Sequence, residues 1–249
     1  MNKLTLELIK QLPKVELHCH LDGSLRVDTI IDLAKKNNID LPTIDKNKLS
    51  KLISLKSQNI SLEKYIALFD ITLSVMQNKN SLERISYELM EDLSNDNVVY
   101  AEIRFSPILH TKNNLTIDDA LRSVKTGLEK GSKKFGIKYG IIICGIRSID
   151  PSVSIKLAEL AVDYKNNGVV GFDLAGAEYN YPAKKHKEAF YIIRNNNINT
   201  TIHAGEAFGP ESIHQAIHTC GANRIGHGIR LLEDPDLMSF INDHRICLE

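Results

Sequence analysis

Cysteine is scarce in this chain, with four in 249 residues, and no two of them stand close together. Cys19, Cys144, Cys220 and Cys247 form no Cys-x-x-Cys pair. That spacing excludes a thiolate zinc site and gives no basis for a disulfide framework. Reduced thiols in a cytoplasmic protein are the expectation, since disulfides belong to oxidising compartments. Net charge is lacking too: Lys+Arg and Asp+Glu both number 31. No global field favours nucleic acid or a membrane surface as partner. Lysines gather at Lys46–Lys56, Lys125–Lys138 and Lys184–Lys187, but they are mixed with apolar residues at helical spacing and read as solvated helix faces. No stretch approaches the roughly 18 apolar residues of a membrane span. Residues 1–13 carry Lys3, Glu7 and Lys10 where a signal peptide has its apolar core. Low-complexity segments and repeats are absent. What is there is 43% hydrophobic and 25% charged, the balance of a soluble globular protein long enough for one large domain.

Short apolar runs rich in β-branched residues alternate with longer amphipathic stretches. Strands are expected at Val15–His20, Val98–Phe105, Lys138–Ile146, Val169–Leu174, Asn199–His203 and Arg224–His227, with a last one beginning near Arg245. Helices are expected at Ile117–Lys134, Ser152–Lys165, Lys184–Asn195, Glu211–Thr219 and Pro235–Asp243. This alternation predicts an α/β fold, a parallel sheet with helices outside it. The run Gly140-Ile141-Ile142-Ile143-Cys144 suits a strand buried on both faces. One interval breaks the rhythm. Roughly eighty residues separate the first strand from the second, far more than one crossover needs. Helical patterns there fall at Ser24–Asn37, near Lys46–Ser57, at Leu62–Met76 and at Leu82–Ser94. One serves as the crossover and the rest form an insertion after the first strand, within about residues 24–96 of a single domain spanning 1–249.

Three motifs carry chemistry. In His18-Cys19-His20, residues i and i+2 of a strand face the same way, so both imidazoles point to one side. Two converging neutral imidazoles suit Zn²⁺; singly, the pair also reads as hydrogen-bonded histidines. His203 ends another apolar strand, and Glu206 follows past Ala204 and Gly205, small residues that allow a sharp turn. A carboxylate brought beside an imidazole and partly desolvated could keep its proton near neutral pH and act as a general acid. His227, between Gly226 and Gly228, repeats the strand-end pattern. His110, His186, His214, His218 and His244 lie in helices or loops and receive no role.

The run Leu12-Pro13-Lys14-Val15-Glu16-Leu17-His18-Cys19-His20-Leu21-Asp22-Gly23-Ser24 resembles the opening signature of the adenosine deaminase family. Residues 98–107, Phe172-Asp173-Leu174-Ala175-Gly176, His203-Ala204-Gly205-Glu206 and Arg224-Ile225-Gly226-His227-Gly228 resemble its second, fourth, fifth and sixth strands, in order. The resemblance implies a TIM (β/α)8-type barrel with one zinc ion at the C-terminal strand ends. His18, His20 and His203 match metal ligands, and His20 also lies toward the substrate. Glu206 matches the acid that protonates purine N1, and His227 the group that orients and deprotonates the attacking water. Gly176 matches the backbone contact to purine N3, and Asp22 the contact to the ribose. Leu62, Tyr65 and Phe69, with Ile66, fall where the family's apolar lid covers the nucleoside; they also read as the buried stripe of a helix. The implied reaction is attack of water at C6 of adenosine or 2′-deoxyadenosine, loss of ammonia and release of the inosine product, in purine salvage.

Two departures stand out. Ala177 occupies the place after Gly176 where the family commonly has an acid, and Glu178 follows it. The family's fourth ligand and a neighbouring aspartate lie on an eighth strand, whereas this sequence runs out within the seventh. We therefore expect a barrel incomplete at its C-terminus and little deamination by residues 1–249 alone. The other zinc deaminase signature, His-x-Glu followed by Pro-Cys-x-x-Cys, is absent. The fourth strand ends Asp173-Leu174-Ala175-Gly176 with no lysine to bridge two metals, which favours one. Alternatives are an adenine deaminase relative, less similar around Leu62–Asp70 and Gly226–Gly228, and an inactive nucleoside- or metal-binding chain. The expected partner is a small purine nucleoside, with no nucleic acid or membrane; oligomeric state stays open.

Overall fold

The computed structural model describes residues 5–54 and 61–249. Its seven strands are β1 (Lys14–His20), β2 (Val98–Phe105), β3 (Lys138–Ile146), β4 (Val169–Ala175), β5 (Asn199–Ala204), β6 (Arg224–His227) and β7 (Cys247–Leu248). They form one sheet in sequence order, each strand parallel to the next. Parallel neighbours need a crossover outside the sheet, and helices supply it. The sheet curls into an incomplete TIM-type barrel. Among the described residues β1 and β7 are not paired with each other.

Outside the sheet lie α5 (Lys79–Asn95), α6 (Ile117–Phe135), α7 (Pro151–Asp163), α8 (Lys187–Asn195), α9 (Pro210–His218) and α10 (Pro235–Asp243). Their starts follow local chemistry. Thr116 and Asp119 form a reciprocal capping box at the head of α6, and the Asp150 and Asp234 side chains cap α7 and α10 ahead of a proline. The core fills the space between strands and helices, with Leu21, Ile103, Ile141, Ile143, Phe172, Leu174, Ile202 and Ile225 each fully buried. In β3 every residue from Gly140 to Gly145 is buried, as a strand covered on both faces requires.

Four further helices are α1 (Leu6–Gln11), α2 (Val27–Lys36), α3 (Lys46–Ile53) and α4 (Leu62–Val75). The last three lie between β1 and α5, while α5 packs on α6 and β2 and makes the crossover. The part of the expected Lys46–Ser57 helix beyond residue 54 lies outside the described residues. Three differences from the sequence reading are local. The helix expected at Lys184–Asn195 divides into a 3-10 turn, Ala183–His186, followed by α8. α1 was not anticipated; it buries no side chain, so it has no apolar stripe to betray it. The strand expected near Arg245 begins at Cys247, because Arg245 adopts left-handed backbone with φ 52°. No helix among the described residues is long and apolar enough to cross a membrane.

Candidate metal centre

The C-terminal strand ends bring together residues far apart in sequence. His18 and His20 project from one face of β1, and His203 from the end of β5. Their Nε2 atoms lie 3.0 Å apart for His18 and His203, 3.3 Å for His18 and His20, and 2.9 Å for His20 and His203. A triangle that small has a point within about 2.0–2.1 Å of all three corners, the distance zinc takes from imidazole nitrogen. These three residues form a group that could hold a metal ion.

Protonation states suit that role. Burial, reinforced by His203, pushes His18 down to about 3 and His20 well below the ordinary histidine value. Both rings are therefore neutral, with lone pairs free to coordinate. Asp173, fully buried on β4, lies 3.1 Å from Nδ1 of His203. Burial opposes its ionisation, but His203 and the Arg104 guanidinium hold it well below the usual carboxylate range. An ionised carboxylate only accepts, so Nδ1 of His203 donates and Nε2 is left to face the other two rings. Arg104 is itself fully buried; it donates to Asp173 at 3.0 Å, to the Leu17 carbonyl at 2.7 Å and to Glu249. Arg147 donates at 2.6 Å to the carbonyl of His203, fixing the end of β5.

Past His203 the chain turns at Gly205, whose φ of 69° is left-handed and where a Cβ would meet Ile213 Cδ1 at 2.5 Å. The turn delivers Glu206, whose Oε2 sits 3.5 Å from Nε2 of His227. Burial raises the Glu206 carboxyl, and the charge of Glu178 adds to this against an opposing effect of His203. His227 also has left-handed backbone, φ 69°, an uncommon state for a residue with a side chain. Its N–H donates to the Glu249 carbonyl at 2.7 Å. Its ring lies 4.7 Å from that of His18, and burial pushes it down to about 4.

Beside this cluster a cleft of about 270 Å³ is lined by His20, Asp22, Ile66, Phe69, Gly176 and Ala177 among others. Tyr65 lines a smaller neighbouring hollow with Asp22 and Phe69, and Leu62 lines neither. Asp22 has a buried Oδ1 without a hydrogen-bond partner, and burial pushes its carboxyl up to about 6. Glu178, on the loop after β4, is 5% exposed and accepts hydrogen bonds from the backbone N–H groups of residues 205–208.

The family model for adenosine deaminase matches residues 13–249 of this chain. The chain belongs to the adenosine deaminase family. It is 46% identical to a probable adenosine deaminase of Dictyostelium discoideum over 248 residues, covering 99% of this chain and 32% of that protein. It is 44% identical to an adenosine deaminase of Mycobacterium marinum over 262 residues, covering 98% of this chain and 72% of that one. The chain thus spans about a third of the first relative's length and under three quarters of the second's. In fold it is similar to an adenine deaminase from Arthrobacter aurescens, with a TM-score of 0.87 at 24% identity, covering 95% of this chain and 71% of that one.

In this adenosine deaminase family chain, the sequence reading passed over Arg104, Arg147, Asp173 and Glu178 as working residues. A signal for two of them existed. Asp173 is the one charged residue of β4, and Arg104 shares the mainly apolar β2 with Glu102; a buried charge needs a partner. Glu178 and Arg147 sit in loops, where only the tertiary structure reveals what they hold.

Proposed function

We propose that this chain carries the site for hydrolytic deamination of adenosine or 2′-deoxyadenosine, with one zinc ion held by His18, His20 and His203. The observation that carries the reading is the convergence of three imidazoles beside the Glu206–His227 pair in a member of this family. Bound zinc supplies Lewis acidity that lowers the pKa of water toward about 7. His227, kept neutral by burial, orients the attacking water and takes its proton. Glu206, whose carboxyl is raised by burial, gives a proton to purine N1 as the C6 carbon is attacked. The amino group then takes the proton held by His227 and leaves as ammonia, the C6 hydroxyl proton returns to Glu206, and the base is left as the 6-oxo product. The Gly176 backbone faces N3, and the unpartnered Asp22 oxygen receives a ribose hydroxyl. The insertion within residues 24–96 acts as a lid, with Tyr65, Phe69 and Ile66 of α4 over the nucleoside; Leu62 completes that helix face at its first turn. The scattered, unpaired cysteines fit a cytoplasmic purine-salvage role.

The test is the absorbance change on converting adenosine to inosine by zinc-loaded protein extended with the eighth strand that the family resemblance implies, with adenine in parallel. Turnover of adenosine over adenine is expected. Glu206→Gln should slow turnover by about 10²–10⁴-fold, since the amide cannot pass a proton, with bound zinc unchanged. Near-normal turnover by that variant removes Glu206 from the acid role. Faster turnover of adenine moves the reading to the adenine-acting relatives.

A further inference from the structure

A proton donor acts only where its backbone holds it, and Glu206 stands on an irregular stretch between β5 and α9. The N–H groups of Gly205, Glu206, Ala207 and Phe208 all turn inward there. The Glu178 carboxylate meets all four: Oε1 accepts from Gly205 at 2.5 Å, and Oε2 from Glu206 at 3.1 Å, Ala207 at 2.7 Å and Phe208 at 2.7 Å. Successive backbone N–H groups around one anion make a nest, and hydrogen bonds to an ionised acceptor are roughly twice as strong as neutral ones. α9 begins at Pro210, so its N-terminal dipole adds positive potential at the same place. Glu178 reaches this position from the loop after β4, which ties the 205–208 segment to a second strand end. Glu178 is not part of the histidine triad. The departure from the family pattern falls on the residue before it, Ala177, which makes none of these four hydrogen bonds.

We propose that Glu178 is a positioning residue: its carboxylate locks the backbone of residues 205–208 and thereby holds the Glu206 side chain where it can reach the purine ring. This inference rests on the proton-donor reading of Glu206. It differs from mere packing in a way that can be measured. Gln at 178 would fill the same space, but its amide NH₂ would face N–H groups and its charge would be gone. A space-filling role survives that change; a clamp does not.

The experiment compares wild type, Glu178→Gln, Glu178→Ala and Glu206→Gln in the same extended, zinc-loaded protein. Backbone hydrogen exchange at residues 205–208, bound zinc, and kcat and KM for adenosine are measured for each. Faster exchange confined to 205–208 is expected in both Glu178 variants. Displacing a catalytic group by about 1 Å costs on the order of a hundredfold, so kcat should fall by about that factor while KM changes little. Formate, a free carboxylate, should restore exchange protection and turnover to Glu178→Ala but not to Glu206→Gln. Wild-type protection at 205–208 in Glu178→Gln overturns the proposal, and so does a normal kcat there. Exchange decides the point even where turnover is below detection, and Glu178→Gln decides it should Glu178→Ala fail to fold. A Glu206→Gln variant with normal turnover would instead strike the donor reading, while the exchange data still report whether Glu178 holds the loop.

Discussion

Asp173 and Arg104 form a fully buried ion pair beside His203, and removing either charge would strand the other. Their arrangement fixes the tautomer of a candidate ligand, which no distance within the histidine triad does alone. Asp173→Asn keeps the size and loses the charge, and its amide can present a donor to Nδ1 in place of an acceptor. Zinc affinity should then fall about 10–100-fold, the usual cost of losing such a partner, as read by competition with a chelator. Unchanged affinity would mean that His203 is oriented by its other contacts, the Arg147 bond to its carbonyl foremost. The residue scale is also where the sequence was most readable. His18, His20, His203, Glu206 and His227 stand out by motif and strand position; the first three converge on one point, and His227, paired with Glu206, has its ring 4.7 Å from that of His18. Leu62, Tyr65, Ile66 and Phe69 match the family's lid by resemblance and share one helix face by spacing, yet of the four only Phe69 and Ile66 face the larger cleft. Spacing gives the face of a helix, not how far along it a cleft extends.

At the scale of elements, α5 and α6 pack in direct contact, and two glycines of α6 set their separation. A Cβ on Gly127 would lie 2.2 Å from the Glu83 carbonyl oxygen, and one on Gly131 would lie 2.4 Å from Met90 Cβ. The obstacle at Gly127 is backbone, which cannot swing aside. Gly127→Ala raises helix propensity yet must push the helices apart, so a loss of about 1–3 kcal/mol is expected in urea unfolding. Zinc binding should be untouched, because both helices lie away from the histidines. A midpoint at or above wild type would show that the helices yield freely. The limits of α6 were readable to within a residue from its apolar period. That two glycines inside it mark a contact was not, since an internal glycine looks only like a weak point in a helix.

For the molecule as a whole, buried histidines couple stability to pH. His110 is fully buried and is pushed down to about 4 by burial; His18 is pushed to about 3 and His227 to about 4. In the unfolded chain these groups titrate near 6.5. Between those values the unfolded chain binds more protons than the folded one. Stability is therefore full above about pH 6.5 and is lost as pH falls toward 4, by up to about 1.4 kcal/mol per pH unit for each such group. Thermal melts of metal-free protein from pH 7 to 4.5 should show the midpoint falling throughout, and His110→Gln should flatten that slope. A midpoint constant over this range would mean that the rings take up protons without unfolding.

The order of strands and helices was determined by the sequence alone, because β-branched runs, apolar periods and capping residues act within a few neighbours. The identity of the histidine and glutamate motifs was determined the same way. Their convergence was decided by the curl of the sheet, which brings the C-terminal ends of β1 and β5 together although His20 and His203 are 183 positions apart in sequence. The choice of Asp173, Arg104, Arg147 and Glu178 as supports was likewise decided in three dimensions. Each satisfies hydrogen-bonding groups that only the closed packing of distant strand ends strips of water. A carboxylate such as Glu178 looks like any loop acid until four backbone N–H groups are seen to depend on it.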